Sequence, residues 1–215
     1  ISDLKMTIIT NDPAKRYYYT LLFGDKYRVK IATRNVNIPG IQNFRDLGGY
    51  PSYSTKKQVR WGMIYRSAEI DSLECYSRRE LRNLGIKTLI DLRASSETGR
   101  QSPLQKEFNV VHIPLATGDM ENILKGIREE KIKSDTVYRM VEQMNRDLID
   151  KYTTEYRQIF DILLDKNSYP VVIHCSSGKG RTGIVSALVL AALGINEDII
   201  MEDYRLSNDY FNIPS

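Results

Sequence analysis

The run His174-Cys175-Ser176-Ser177-Gly178-Lys179-Gly180-Arg181-Thr182-Gly183 constrains this chain more than any other stretch, because its flanks dictate how it can fold. Before it, Tyr169-Pro170-Val171-Val172-Ile173 is a short β-branched apolar run that predicts a buried strand of an α/β sheet. After it, Ile184–Leu193 is a strongly apolar segment followed by Gly194, which predicts a helix with a glycine cap. The decapeptide is therefore a strand-to-helix turn. Such a turn aims backbone N–H groups and the positive end of the helix dipole at one point, which makes an anion site, with phosphate as its natural occupant.

The side chains on that turn fit a reaction at phosphorus. A cysteine in the field of a helix N-terminus and a guanidinium is held as the nucleophilic thiolate. Cys175 could attack a bound phosphoryl group in line and form a phosphocysteine that water hydrolyses. Arg181 returns to the same cradle, where its planar fork can hold two equatorial oxygens in a way lysine cannot. Ser176, Ser177, Gly178, Lys179 and Gly180 complete the phosphate-binding loop, the two glycines allowing close approach of the backbone. Thr182 places a hydroxyl near the thiolate and can help expel it from the intermediate, while His174 at the strand end is expected to orient the loop through a ring hydrogen bond. This chemistry calls for neither metal nor cofactor. Inert packing of Cys175 and a rhodanese-like sulfur-transfer loop are the competing readings of the same residues.

His-Cys, five residues, Arg and then Thr resembles the signature of the cysteine-dependent phosphatases. Three upstream segments narrow the likeness: Asn43-Phe44-Arg45-Asp46-Leu47-Gly48-Gly49-Tyr50, Trp61–Ser67, and Leu84–Arg93. Together they resemble the bacterial tyrosine-phosphatase family over about residues 38–210. The resemblance implies an α/β, three-layer fold with a central, mostly parallel sheet flanked by helices, and a protein tyrosine phosphatase activity on phosphotyrosine proteins or other phosphomonoesters. Oxyanions such as phosphate, sulfate or vanadate would inhibit it. Arg45 and Asp46, with Arg66 and the Asp91/Arg93 pair, are read as ion-paired supports of sheet and loop in preference to extensions of the phosphate pocket.

The likeness leaves the proton donor open. Some members carry an aspartate directly before the signature arginine, where this chain has Gly180. The acid must then come from elsewhere, and Val110–Met120, read as a strand followed by a loop, offers Asp119; the alternative for Asp119 is a helix cap, and Asp46 is the second candidate acid. Lys179 in Gly-Lys-Gly-Arg-Thr-Gly also resembles the phosphoinositide 3-phosphatases, so phosphoinositides or inositol polyphosphates are the alternative substrates. A catalytically silent phosphate-binding module is the rival from another class.

Residues 1–38 read differently from the remainder: Leu4–Thr10, Tyr17–Phe23 and Tyr27–Thr33 predict short strands of an N-terminal β appendage or of the remnant of a larger β domain, leaving residues 39–215 as the catalytic domain. A helical insert at about residues 119–150 stands where related bacterial enzymes carry a lid, and its stripe of Met140, Val141, Met144, Leu148 and Ile149 is read as core. Ser77-Arg78-Arg79-Glu80 predicts a capping box that starts a helix, and Asn196–Ser207 a last amphipathic helix. A formal charge of +4 without a basic run argues against nucleic acid as partner. Apart from Cys175 only Cys75 is available, so no structural disulfide is expected, and no apolar stretch approaches the roughly 20 residues of a membrane span. No signal peptide is visible, and a start at Ile1 suggests a processed or truncated product; by family analogy alone the expectation leans toward a secreted or periplasmic bacterial protein.

Overall fold

The structure is a computed structural model that describes residues 7–9, 16–71, 73–98, 103–116, 126–127, 129 and 134–212. The chain divides into two compact units, Ile1–Thr33 and Arg34–Ser215. In the first, strands β1 (Tyr18–Phe23) and β2 (Tyr27–Ala32) form an antiparallel hairpin in which Phe23 opposes Tyr27 across a turn with Gly24 at φ 57°. Residues 7–9 are not in a strand, and the rest of the strand expected at Leu4–Thr10 lies outside the described residues.

The second unit is built on a five-stranded sheet. Its members are β3 (Arg45–Asp46), β6 (Ile64–Ser67), β9 (Val171–His174), β7 (Thr88–Asp91) and β8 (Asn109–His112), in that spatial order. All neighbours run parallel except the β3–β6 pair. A separate short ladder, β4 (Pro51–Ser52) with β5 (Lys57–Gln58), lies between β3 and β6 in sequence. β6, β7 and β9 are buried at every position, as parallel strands covered on both faces must be.

The period-2 alternation of side chains sorts these strands into two cores. Tyr65, Leu89 and Val172 join Phe44 and Leu81 on one face; Ile64, Ile90, Val171 and Ile173 join Leu148, Ile159 and Val185 on the other. Helix α1 (Cys75–Asn83) contributes Leu81 to the first core. Helices α2 (Ser134–Lys151), α3 (Thr153–Leu164) and α4 (Gly180–Ala192) contribute Leu148, Ile159 and Val185 to the second. The expected three-layer α/β fold with a mostly parallel sheet is therefore what the chain forms.

Local details depart from the sequence reading. α1 starts at Cys75 with Glu74 as N-cap and no side-chain cap bond. Ser77 lies inside the helix, 2% exposed, and its hydroxyl donates to the Pro39 carbonyl at 2.6 Å. That tertiary acceptor takes the hydroxyl the capping box would have used. The methionine stripe is only half core: Leu148 is buried, but Met140 is 38% and Ile149 61% exposed. The segment expected as one last helix forms two: α5 (Glu197–Arg205), capped by the Asn196 side chain accepting from Asp198 N–H at 2.8 Å, and, after a break at Leu206, a short α6 (Ser207–Tyr210). α4 ends as expected: Gly194, at φ 75°, donates to Ala191 O and Ile195 donates to Leu190 O, the paired bonds of a Schellman motif. No helix of the described residues is long and apolar enough to cross a membrane.

Candidate active site

β9 delivers the signature loop to the C-terminal edge of the sheet, where open α/β sheets place their ligand crevices. At that edge His174 registers with Ser67 of β6 and Asp91 of β7, and Cys175–Lys179 then turn the chain into α4. The turn is held by its carbonyls. Ser176 O accepts from Glu69 N–H at 3.2 Å, Asn43 Nδ2 donates to Ser177 O at 3.1 Å and to Gly178 O at 3.0 Å, and Arg66 Nη2 donates to Gly178 O at 2.8 Å. Gly178 sits at φ 69°, and a Cβ there would lie 2.5 Å from the Ser67 carbonyl group, so this position demands glycine on both counts.

The loop brings Cys175 and Arg181 together. Cys175 is 1% exposed, and its sulfur attracts the charge of the Arg181 guanidinium, itself 7% exposed. Burial opposes the charge on Arg181, but its bonds to Glu97 and the attraction of Cys175 hold its pKa above the ordinary value. Glu97, in the loop after β7, takes the arginine fork with both oxygens: Nη2 donates to Oε1 at 2.8 Å and Nη1 donates to Oε2. Ser176 Oγ also donates to Glu97 Oε1, at 2.6 Å, and accepts from Arg181 Nη2 at 3.1 Å. The Arg181 bonds bring the Glu97 carboxyl down to about 2 against the opposing effect of burial, so it is an anion at neutral pH and has no proton to give. Its two oxygens occupy the fork that would grip two oxygens of a phosphoryl group.

Two other expected participants are buried and unpartnered. Thr182 Oγ1 has no hydrogen-bond partner among the described residues although Thr182 is wholly buried. A buried hydroxyl without a partner costs about 1–3 kcal/mol. His174 Nδ1 likewise makes no hydrogen bond among the described residues, and Asp91 Oδ1 is 3.9 Å away. Burial pushes the imidazole down to about 4, so His174 is neutral at physiological pH, and Nδ1 does not make the ring bond expected to orient the loop.

That orientation comes instead from a buried ionic network under the loop. Arg45 Nε lies 3.3 Å from Asp203 Oδ1, Arg66 Nη1 donates to Asp203 Oδ2 at 2.6 Å, and Tyr50 OH donates to Oδ1 at 2.9 Å. Arg45 also donates to Asn43 Oδ1, so both arginines reach the loop carbonyls, Arg66 directly and Arg45 through Asn43. Burial, and then Arg45, lower Arg66 to about 10 despite Asp203. Asp46 is fully buried and accepts from Gly48 N–H and Gly62 N–H at 2.7 Å each, which commits it to the turns around β3. Arg93 is held between Asp91, at 2.7 Å, and Asp71. The Lys179 ammonium lies 3.3 Å from Asn208 Oδ1 and 5.5 Å from the Phe211 ring centroid, against the C-terminal segment. Asp119 lies outside the described residues.

Asn43, Glu97 and Asp203 were not singled out by the sequence reading. For Asp203 a signal existed: two buried arginines require a buried carboxylate, and the last helix carries Glu197, Asp198, Glu202 and Asp203. Among the described residues no group of three or more His, Cys, Asp or Glu side chains is arranged to hold a metal ion.

Residues 36–214 match the sequence model of the tyrosine phosphatase family. The chain is 32% identical over 194 residues to the triple specificity protein phosphatase PtpB of Mycobacterium tuberculosis, covering 80% of this chain and 68% of that one. It is 28% identical over 171 residues to a candidate tyrosine-protein phosphatase of Cupriavidus necator, covering 78% and 61% of the two chains. The solved catalytic core of Siw14 is 16% identical with a TM-score of 0.44, covering 66% of this chain and 69% of that one. With that match running through β3, the sheet and the Cys175–Arg181 loop, the chain belongs to the tyrosine phosphatase family.

Proposed function

We propose that this chain hydrolyses phosphomonoesters, phosphotyrosine in proteins foremost, through a cysteinyl-phosphate intermediate. The observation that carries the reading is the placement of a buried cysteine, Cys175, at the head of the loop that opens α4, with Arg181 in the first turn of that helix. The Arg181 guanidinium and the loop N–H groups hold the phosphoryl oxygens and take up charge as it develops. The Cys175 thiolate attacks phosphorus, the S–P bond forms as the ester P–O bond breaks, and the leaving oxygen takes a proton from a general acid. Water then attacks phosphorus, the S–P bond breaks, and inorganic phosphate leaves; in this reading the Thr182 hydroxyl, which has no partner among the described residues, donates to the departing sulfur.

The general acid in this reading is Asp119. Glu97 is held ionised by Arg181, and Asp46 is tied to two backbone amides, which supports a donor brought in from the segment after β8. Residues 39–215 form the catalytic part, the first 38 an appendage, and the insert at about 119–150 a cover over the thiolate. The relative named a triple specificity protein phosphatase supports a substrate range wider than phosphotyrosine.

The test is turnover of an aryl phosphate and a phosphotyrosine peptide without added metal. Cys175→Ser is expected to lower kcat by roughly 10³–10⁶-fold, the scale for removing a nucleophile; full turnover by that variant refutes the mechanism. Asp119→Asn is expected to slow esters of poor leaving groups by about 10²-fold or more while sparing good ones, and an equal effect on both moves the acid to another residue.

A further inference from the structure

A second concave site lies at the other end of α4 from the phosphate loop. The β4–β5 hairpin, the entry to β6, the turn before β9 and the C-terminal end of α4 border an open cavity of about 630 Å³. That volume is within the range of small-molecule sites, roughly 300–1,000 Å³. α4 has 13 residues, so at 1.5 Å per residue the cavity stands roughly 20 Å from Cys175. It is separate from the cradle described above.

Its chemistry is two-sided. Val59, Met63 and Leu193 give it an apolar wall, and Leu193 is 42% exposed. Lys57, Arg60 and Lys166 stand around that wall, all three exposed, and no Asp or Glu is among the lining residues. None of the three takes part in an ion pair or a side-chain hydrogen bond among the described residues. The hydroxyl of Tyr169, another lining residue, already donates to Leu163 O. The carbonyls of Leu190 and Ala191 near the end of α4 are already taken by the Schellman bonds of Ile195 and Gly194. Three unpaired cations beside an apolar wall are complementary to one kind of occupant.

We infer that this cavity binds a single-chain amphiphile with an anionic head, such as a fatty carboxylate, whose chain lies on Val59, Met63 and Leu193 and whose head meets Lys57, Arg60 and Lys166. Burying the chain supplies the non-directional part of the affinity, and the cation cluster selects the charge.

The experiment is calorimetric titration of the whole chain with dodecanoate below its micelle concentration, at saturating vanadate to fill the phosphate cradle. The expected result is saturable one-to-one binding that vanadate leaves unchanged. Binding should weaken about tenfold or more in a Lys57→Gln/Arg60→Gln/Lys166→Gln variant. A Leu193→Asp variant is expected to weaken it similarly. All four substitutions fall on exposed positions, and an unchanged melting temperature shows that they leave the fold intact. Dodecylammonium and dodecanol should bind at least tenfold more weakly than dodecanoate, because they share the chain and lack the negative head. Any of four results overturns the inference: no saturable binding, equal binding by the neutral or cationic analogues, full affinity in the triple variant, or displacement by vanadate. Binding to anionic phospholipid vesicles without binding of monomeric dodecanoate also overturns it, since the occupant would then be a bilayer surface.

Discussion

Asp203 anchors the phosphate loop from the far side of the sequence, and replacing it with asparagine tests that role. The carboxylate is 1% exposed and faces Arg45, Arg66 and the Tyr50 hydroxyl. Asparagine keeps the shape but removes the charge, and it leaves two buried guanidiniums facing each other without an anion. Stranding a buried charge in this way costs about 3–5 kcal/mol. For a chain of this size each kcal/mol moves the melting temperature by about 2–4 °C, so Asp203→Asn should melt roughly 6–20 °C below the native protein. Arg66 also donates to Gly178 O, so the loop should loosen and kcat/KM for an aryl phosphate should fall even at temperatures where the variant is folded. Adding Arg66→Met removes one of the stranded charges and is expected to recover part of the melting temperature but none of the activity. Differential scanning calorimetry with parallel kinetics decides the matter. An Asp203→Asn protein that melts with the native one refutes the claim that the network bears on stability.

Two further outcomes follow from the site. Glu97→Gln removes the anion that grips Arg181 and should tighten vanadate binding about tenfold, the effect of relieving one charge-assisted contact; unchanged or weaker binding would show that Glu97 positions the arginine without competing for it. His174 is neutral in the folded state down to about pH 4 and near 6.5 when unfolded, so its contribution is fully present above pH 6.5 and is lost as pH falls through 4. It should cost about 2 kcal/mol of stability by pH 5, above the range in which carboxylates titrate. Urea midpoints at pH 7 and pH 5 measure this, and a His174→Gln variant showing the same pH dependence would assign the loss elsewhere.

The strand, turn and helix around Cys175 were legible because each is signalled locally: a β-branched run, glycines at the turn, and Gly194 at the C-terminal cap. What was not legible is long-range. Arg66 and Asp203 are 137 residues apart, and Arg181 and Glu97 are 84 apart, so no periodicity or spacing joins them. Ser77 shows the reverse error, a correct local pattern overridden by the Pro39 carbonyl that tertiary structure brings within reach. The stripe in α2 shows a third kind: helical spacing states that a face is apolar, but exposure of Met140 and Ile149 depends on what is packed against it.

The central claim is that phosphate passes through a covalent bond to Cys175. Rapid acid quench of the enzyme during turnover of an aryl phosphate, followed by peptide mass spectrometry, observes that bond directly. The expected result is one phosphoryl group on the peptide carrying Cys175, accumulating to a larger fraction in a Thr182→Ala variant, where departure of the sulfur is slowed. Turnover with no phosphorylated enzyme, or with the phosphoryl group on another residue, would contradict it.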